Sequence, residues 1–204
     1  ADGTTFSVTG AGYNPQGNFL INDRPVLPEQ FPGLNRSLLC AVVCNGARLT
    51  KHNDMWIVTG DPTEGALLTV AAKAGKLKEE IENTFQIVDE IPFDSERKRM
   101  TVIVRHNQNL VSFIKGAPDI ILNLCSFIEE NNSIKPLDET GKKLILDITD
   151  SFAKQALRVL ATGYKNIEPD ADISEKTVET NIVFTGLFAM IDPHFTRVTW
   201  GRCH

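Results

Sequence analysis

The spacing of apolar and polar positions changes several times along the chain, and each change marks an element. Residues 4–9 alternate in strand fashion, ahead of the turn cluster Tyr13-Asn14-Pro15-Gln16-Gly17. Apolar positions then read as a helix over 32–49, and a short strand over 55–59 breaks at Gly60. Asp61, Pro62 and Glu64 have the order of an N-cap, a first helical position and a third one. A helix therefore opens there, runs to Ala74 and stops at Gly75.

Three strand patterns follow closely, over 85–93, 100–106 and 110–115, with the polar turn Asn107-Gln108-Asn109 between the last two. Helical patterns return over 118–124 and 139–157, and strands over 159–164 and 182–191. There is no internal repeat. Hairpins interspersed with helices predict an α+β fold, an antiparallel β-sheet flanked by helices, rather than a doubly wound parallel sheet.

If the strands over 85–93, 100–106 and 110–115 form a meander, the outer two run the same way. Phe93 and Lys115 each close a strand, so they share one edge of the sheet, two strand spacings or roughly 9–10 Å apart. A ring and an ammonium at that distance can flank a flat, polyanionic ligand. Gly116, lacking a Cβ, leaves the backbone open to such a ligand, and Pro118 starts a helix with an electropositive end. Arg97, Lys98 and Arg99 gather three cations in the linker over 94–99, a local phosphate attractor. Each feature has a plainer reading. A phenylalanine ending a strand is more often core, a basic run is usually a solvated loop, and Gly60-Asp61-Pro62-Thr63-Glu64 is by default a capping box. Their joint occurrence in this order is what points to a site.

Composition narrows the partners. With 204 residues, 42% of them hydrophobic, the chain can build the core of one domain or of a large domain with a tail. Its net charge, 21 − 26 = −5, argues against a general nucleic-acid binder. No apolar run reaches the ~20 residues that cross a bilayer, and Ala1-Asp2-Gly3-Thr4-Thr5 has none of the regions of a secretory signal, so a soluble chain is expected. Cys40 and Cys44 fall on one helix face, where a metal pair is conceivable. No second pair has zinc-like spacing and the histidines are scattered, so buried, reduced thiols in a cytosolic compartment are the expectation.

Taken together, three strings carry a resemblance: Gly60-Asp61-Pro62-Thr63-Glu64-Gly65-Ala66-Leu67, Pro92-Phe93-Asp94-Ser95-Glu96-Arg97-Lys98-Arg99-Met100 and Lys115-Gly116-Ala117-Pro118-Asp119. They resemble signatures of the nucleotide-binding (N) domain of P-type cation-transporting ATPases. Ala156-Leu157-Arg158-Val159-Leu160-Ala161 is similar to that family's later arginine segment, and Gly186-Leu187-Phe188-Ala189-Met190-Ile191-Asp192-Pro193 to its return into the phosphorylation domain. The wording is most similar to type II pumps, in particular bacterial calcium-pump-like members.

The resemblance implies an N-domain sandwich over residues 1–193 and an adenine-binding role. Phe93 would stack on the adenine ring, a contact worth about 1–3 kcal/mol. Glu64 would accept a hydrogen bond from the adenine amino group. Ser95, Lys98, Lys115 and Gly116 would complete the pocket, and Arg158 would reach the phosphates with its planar fork. The residues themselves point to Phe93, Lys115 and Gly116, whereas Glu64 and Arg158 come from the resemblance alone. The implied ligand is ATP or ADP, as Mg-ATP in the full-length pump. The implied partners are the phosphorylation and actuator domains of the same parent chain, with no direct membrane contact by this segment and a monomer in isolation. The implied location is the cytoplasmic side of a membrane, a bacterial plasma membrane for the parent.

The family's phosphorylated aspartate sits in Asp-Lys-Thr-Gly-Thr, which does not occur in the sequence. No catalytic or metal residue is therefore expected in this segment. The family continues Asp192-Pro193 with Pro-Arg, but His194-Phe195 stand here, so residues 194–204 are expected to be a tail foreign to the domain. Two other classes stay open. A self-sufficient kinase or NTPase would want a Gly-x4-Gly-Lys-Ser/Thr loop, which neither Gly75-Lys76 nor Gly141-Lys142 supplies. A scaffold or regulatory-interaction domain that has lost nucleotide binding is the remaining alternative.

Overall fold

A computed structural model describes residues 1–168 and 171–191 of the chain. The tail expected at 194–204 lies outside the described residues. Strands β1 (Ser7–Val8), β2 (Phe19–Ile21) and β3 (Arg24–Val26) form a small antiparallel sheet. Helix α1 (Pro32–Val43) follows, then the hairpin β4 (Arg48–His52) and β5 (Met55–Thr59), and the helices α2 (Pro62–Lys73) and α3 (Lys78–Thr84). The meander β6 (Gln86–Asp94), β7 (Arg99–His106) and β8 (Asn109–Gly116) leads to α4 (Pro118–Leu124), β9 (Cys125–Glu130) and β10 (Ser133–Pro136). The chain then runs through α5 (Glu139–Ala153), β11 (Leu157–Ile167), α6 (Glu175–Val178) and β12 (Ile182–Ile191).

The α+β architecture is the expected one: a seven-stranded sheet ordered β10-β9-β12-β11-β8-β7-β6, with helices packed on it. Every pair is antiparallel except β9 with β12, which run parallel, so the sheet is mixed. Its inner strands bury both faces. Met100, Val102, Val104 and Phe113 pack with Cys40 of α1 and Cys44 at its C-cap, while Ile114, Ala161 and Phe184 pack with Ile121 and Leu122 of α4 and Ile145 of α5. Farther along the second face, Ile103, Leu110 and Ile167 meet Val178 of α6. Strand β6 is an edge, broken by irregularities between Ile87 and Asp89 and between Ile91 and Asp94. Pro92 falls in the second of these, where no ladder bond is required of it.

Two helices end sooner than their periodicity predicts. The pattern over 32–49 stops at Val43, because Asn45 turns the chain. Its side-chain amide donates to Ala41 O at 3.0 Å, and its Oδ1 accepts from Ala47 N at 2.9 Å. Leu49 then lies in β4. The pattern over 139–157 stops at Ala153, and Ala156 at φ +59° turns Leu157 into β11. The strand expected over 4–9 pairs only at Ser7–Val8. Cys40, Cys44 and Cys125 are buried free thiols, and the first two donate to Ile114 O and Phe113 O at 3.2 Å, tying α1 to β8. Burial pushes the Cys125 thiol up to about 12. No helix among the described residues is long and apolar enough to cross a membrane.

Candidate functional site

The meander has the predicted order, with β7 between β6 and β8, and register fixes its edge. Asp94 stands opposite Arg99 and Arg99 opposite Gly116, so Phe93 and Lys115 close the two outer strands at one end. Two strand spacings separate those strands, about 9–10 Å. Phe93 is 62% exposed, rare treatment for a benzyl side chain in a well-packed domain.

Lys115 is buried instead, with its ammonium 2.8 Å from Glu64 Oε1. The sequence puts that carboxylate there through the start of α2. Asp61 Oδ1 accepts from Thr63 N at 2.8 Å and Glu64 N at 3.1 Å, and Pro62 needs no donor partner. Gly65 lets the first turn press on β5, since a Cβ there would lie 2.4 Å from a Val58 methyl. Glu64 Oε2 accepts from Gly46 N at 2.9 Å, and Asn45 Nδ2 donates to Glu64 O at the same distance. One ion pair thus joins α2, the turn after α1 and the end of β8.

The linker after Phe93 is a tight turn. Asp94 Oδ1 accepts from the amides of Glu96 and Arg97, and these bonds hold its carboxyl below the usual range. Lys98 N donates to Asp94 O at 2.7 Å, and Lys98 O accepts from Ala117 N at 3.0 Å. Lys98 itself sits at φ +53°, a left-handed conformation that costs a non-glycine roughly 1–2 kcal/mol. Ser95 is exposed at the tip of the turn.

Two expectations for this turn fail. The three cations are not a joint phosphate attractor. Arg97 and Arg99 both donate to Glu179, and both also pair with Glu175, at 3.2 and 2.9 Å. Lys98 is the one cation of the run without an acidic partner among the described residues. Gly116 does not leave backbone open for a ligand either. A Cβ there would meet Lys98 O at 2.4 Å and Arg99 Cβ at 2.7 Å, so the glycine admits the turn itself. The backbone amide of Ala117, just ahead of α4, is engaged as well, bonded to Lys98 O.

Arg158 is exposed on β11, opposite Met190 and three residues beyond Ala161, the partner of Gly116. It therefore extends past the same end of the sheet, about 10 Å along the strand. Near the Glu64–Lys115 pair, a small open cleft of about 60 Å³ runs between α1, α3 and the β6–β7 face, bounded in part by Asn45, Gly46, Lys78, Phe85 and Met100. Met100 is the register partner of Lys115. Lys78 closes one side, donating to Asn45 O and, at 3.0 Å, to Ala47 O; burial lowers its pKa against the opposing pull of Glu82.

Sequence reasoning did not find Glu175, Glu179 or Asn45. A signal existed for the acids. Arg97, Arg99 and Thr101 alternate along the sequence, a pattern that would put two arginines on one side of the chain and call for an acidic partner there. Among the described residues no group of three or more His, Cys, Asp or Glu could hold a metal ion.

An exposed ring, an exposed arginine and a lysine with no acidic partner among the described residues thus border one end of the sheet in an α+β domain. The family of P-type ATPase cytoplasmic N domains matches residues 33–194, and the chain belongs to that family. It is 37% identical over 193 residues to the calcium-transporting ATPase of Bacillus subtilis, covering 94% of this chain and 22% of that protein. It is 34% identical over 200 residues to the cation-transporting ATPase pma1 of Synechocystis sp., covering 95% of this chain and 22% of that protein. The probable cation-transporting ATPase F of Mycobacterium bovis is 37% identical over 190 residues, covering 91% of this chain and 20% of its own length. The chain spans about a fifth of the length of the curated relatives it matches.

Proposed function

We propose that this domain grips the adenosine end of ATP or ADP and, within a longer cation pump, presents the γ-phosphate to an aspartate of a neighbouring phosphorylation domain. The observation that carries the reading is the 62% exposure of Phe93 at the end of β6, in line with the Lys115–Gly116 end of β8. Stacking on that ring would remove apolar surface from water on both partners. The Glu64 carboxylate has about four lone-pair sites, of which Lys115 and Gly46 take two, so it can still accept from an adenine amino group. Ser95, Lys98 and Arg158 border the same end, and the exposed lysine and arginine would meet the phosphates.

In the parent pump the domain would swing on its connections, with the actuator domain as a further partner in the cycle. Mg²⁺ would neutralise phosphate charge during transfer. Because a tethered module works at high effective concentration, tight binding is unnecessary. Calcium is the transported ion we favour, since the Bacillus subtilis relative is a calcium-transporting ATPase. The domain working unit would be residues 1–193, on the cytoplasmic side of the parent's membrane.

Calorimetric titration of this chain with ATP tests the reading. The expected dissociation constant is on the order of 0.1–1 mM, roughly 4–6 kcal/mol, with no phosphate released. Absence of any response to millimolar ATP and ADP would instead favour a scaffold that has lost the nucleotide. Turnover by the pure chain would make it a self-sufficient enzyme.

A further inference from the structure

The turn that follows Phe93 is held from the opposite face of the sheet. Glu179, just after α6, is 2% exposed, and its carboxylate collects three donors, one from the turn and two from the start of β7. Arg99 Nε lies 2.7 Å from Oε2, Thr101 Oγ1 lies 2.6 Å from Oε1, and Arg97 Nη2 completes the set. Glu175, four residues earlier, takes the second contact of each arginine. Two guanidinium charges and two carboxylate charges cancel there.

The same turn makes close backbone contact with the end of β8. Lys98 O bonds to Ala117 N, and only a glycine at 116 leaves room for Lys98 and Arg99 to come so near. Lys98 keeps its left-handed backbone because these surroundings over-determine it. Without the carboxylates, Arg97 and Arg99 would repel each other and turn toward solvent, and the turn would lose its anchor.

We propose that Glu179 is a positioning residue for the nucleotide site: by holding Arg97 and Arg99 on the far face, it fixes the 94–99 turn, orients Phe93 and leaves Lys98 as the turn's one cation without an acidic partner among the described residues. This rests on the reading of Phe93 as the adenine platform. Glu179 touches no ligand itself. Its effect is on selectivity: it favours grip on the adenine over indiscriminate attraction of phosphate.

The test titrates the chain and its Glu179→Gln variant with adenosine and ATP separately, by amide chemical shifts, well below both melting temperatures. Adenosine affinity is expected to fall about fivefold, and ATP affinity less, because the released arginines attract phosphate; the ratio of ATP to adenosine affinity then rises about threefold. Glu179→Asp, which keeps the charge, should return the ratio toward that of the unaltered chain. A lower melting temperature with both affinities unchanged would reduce Glu179 to a structural residue and overturn the proposal. Phe93→Ala separates the two layers. Unaltered adenosine binding in that variant overturns the nucleotide reading and this inference with it, whereas loss there but not in Glu179→Gln overturns this inference alone. Should Glu179→Gln fail to fold, Glu175→Gln carries the test, since that side chain is 53% exposed. Its ratio should rise about twofold, and an unchanged ratio overturns the proposal.

Discussion

On the α1 side of the sheet, Lys115 and Glu64 form one ion pair, with side chains 6% and 21% exposed. On the other side, Arg97 and Arg99 meet Glu175 and Glu179, joined by the Thr101 hydroxyl. Both clusters sit at the same sheet end and both are electrically balanced. They differ in spare capacity. Glu64 has two donors on its carboxylate and a side chain still partly exposed, so a ligand can still bond to it. Glu179 has three donors and almost no exposure, so it can only hold. Charge near a site is thus a poor guide to ligand binding until its internal partners are known.

The strongest attempt to break this contrast is Glu179→Ala. It leaves two arginines and a buried hydroxyl without their acceptor, and unfolding in urea should show a loss of about 3–5 kcal/mol. A loss under 1 kcal/mol would mean that the far-face cluster holds nothing. Next in size is Phe93→Ala, where ATP and adenosine affinities should fall alike by about 1–3 kcal/mol, because stacking does not involve phosphate. Stability should stay within about 0.5 kcal/mol, since the ring lies mostly in water. A large stability loss would make Phe93 a core residue after all. Asp61→Ala removes the acceptor of two amides at the start of α2 and should cost about 1 kcal/mol, measured by thermal unfolding.

Acid sharpens the comparison further. Burial alone would raise the Glu179 pKa, but the hydrogen bonds from Arg97, Thr101 and Arg99 outweigh it and leave it lowered from 4.5. A carboxyl depressed by folding binds fewer protons folded than unfolded. Its contribution is therefore complete above the unfolded value and lost as pH falls through the folded one. The urea midpoint should accordingly decline below about pH 4.5, and Glu179→Gln should flatten that decline relative to the unaltered chain. Equal slopes in both proteins would contradict the assignment.

The sequence made the meander, its edge and the Asp61 cap readable, because each depends on neighbours along the chain. Alternation set the strands, and cap chemistry set the start of α2. The partners of Arg97 and Arg99 were not readable, as Glu179 lies 82 and 80 residues away on a different element. The pairing of Lys115 with Glu64, 51 residues apart, was hidden for the same reason. Gly116 was assigned to a ligand because nothing local reveals that Lys98 O fills the space. The helix expected to reach Leu49 failed on one side chain: Asn45 bonds back to Ala41, across to Glu64 and forward to Ala47. Periodicity continues past such a residue even when the backbone does not.

Intermolecular nuclear Overhauser contacts between adenosine and a selectively labelled Phe ring set test the central claim most directly. The account predicts cross-peaks from the adenine protons to the ring of Phe93, saturating in the millimolar range and vanishing in Phe93→Ala. Cross-peaks to other aromatic rings, with that of Phe93 silent at saturation, would contradict it.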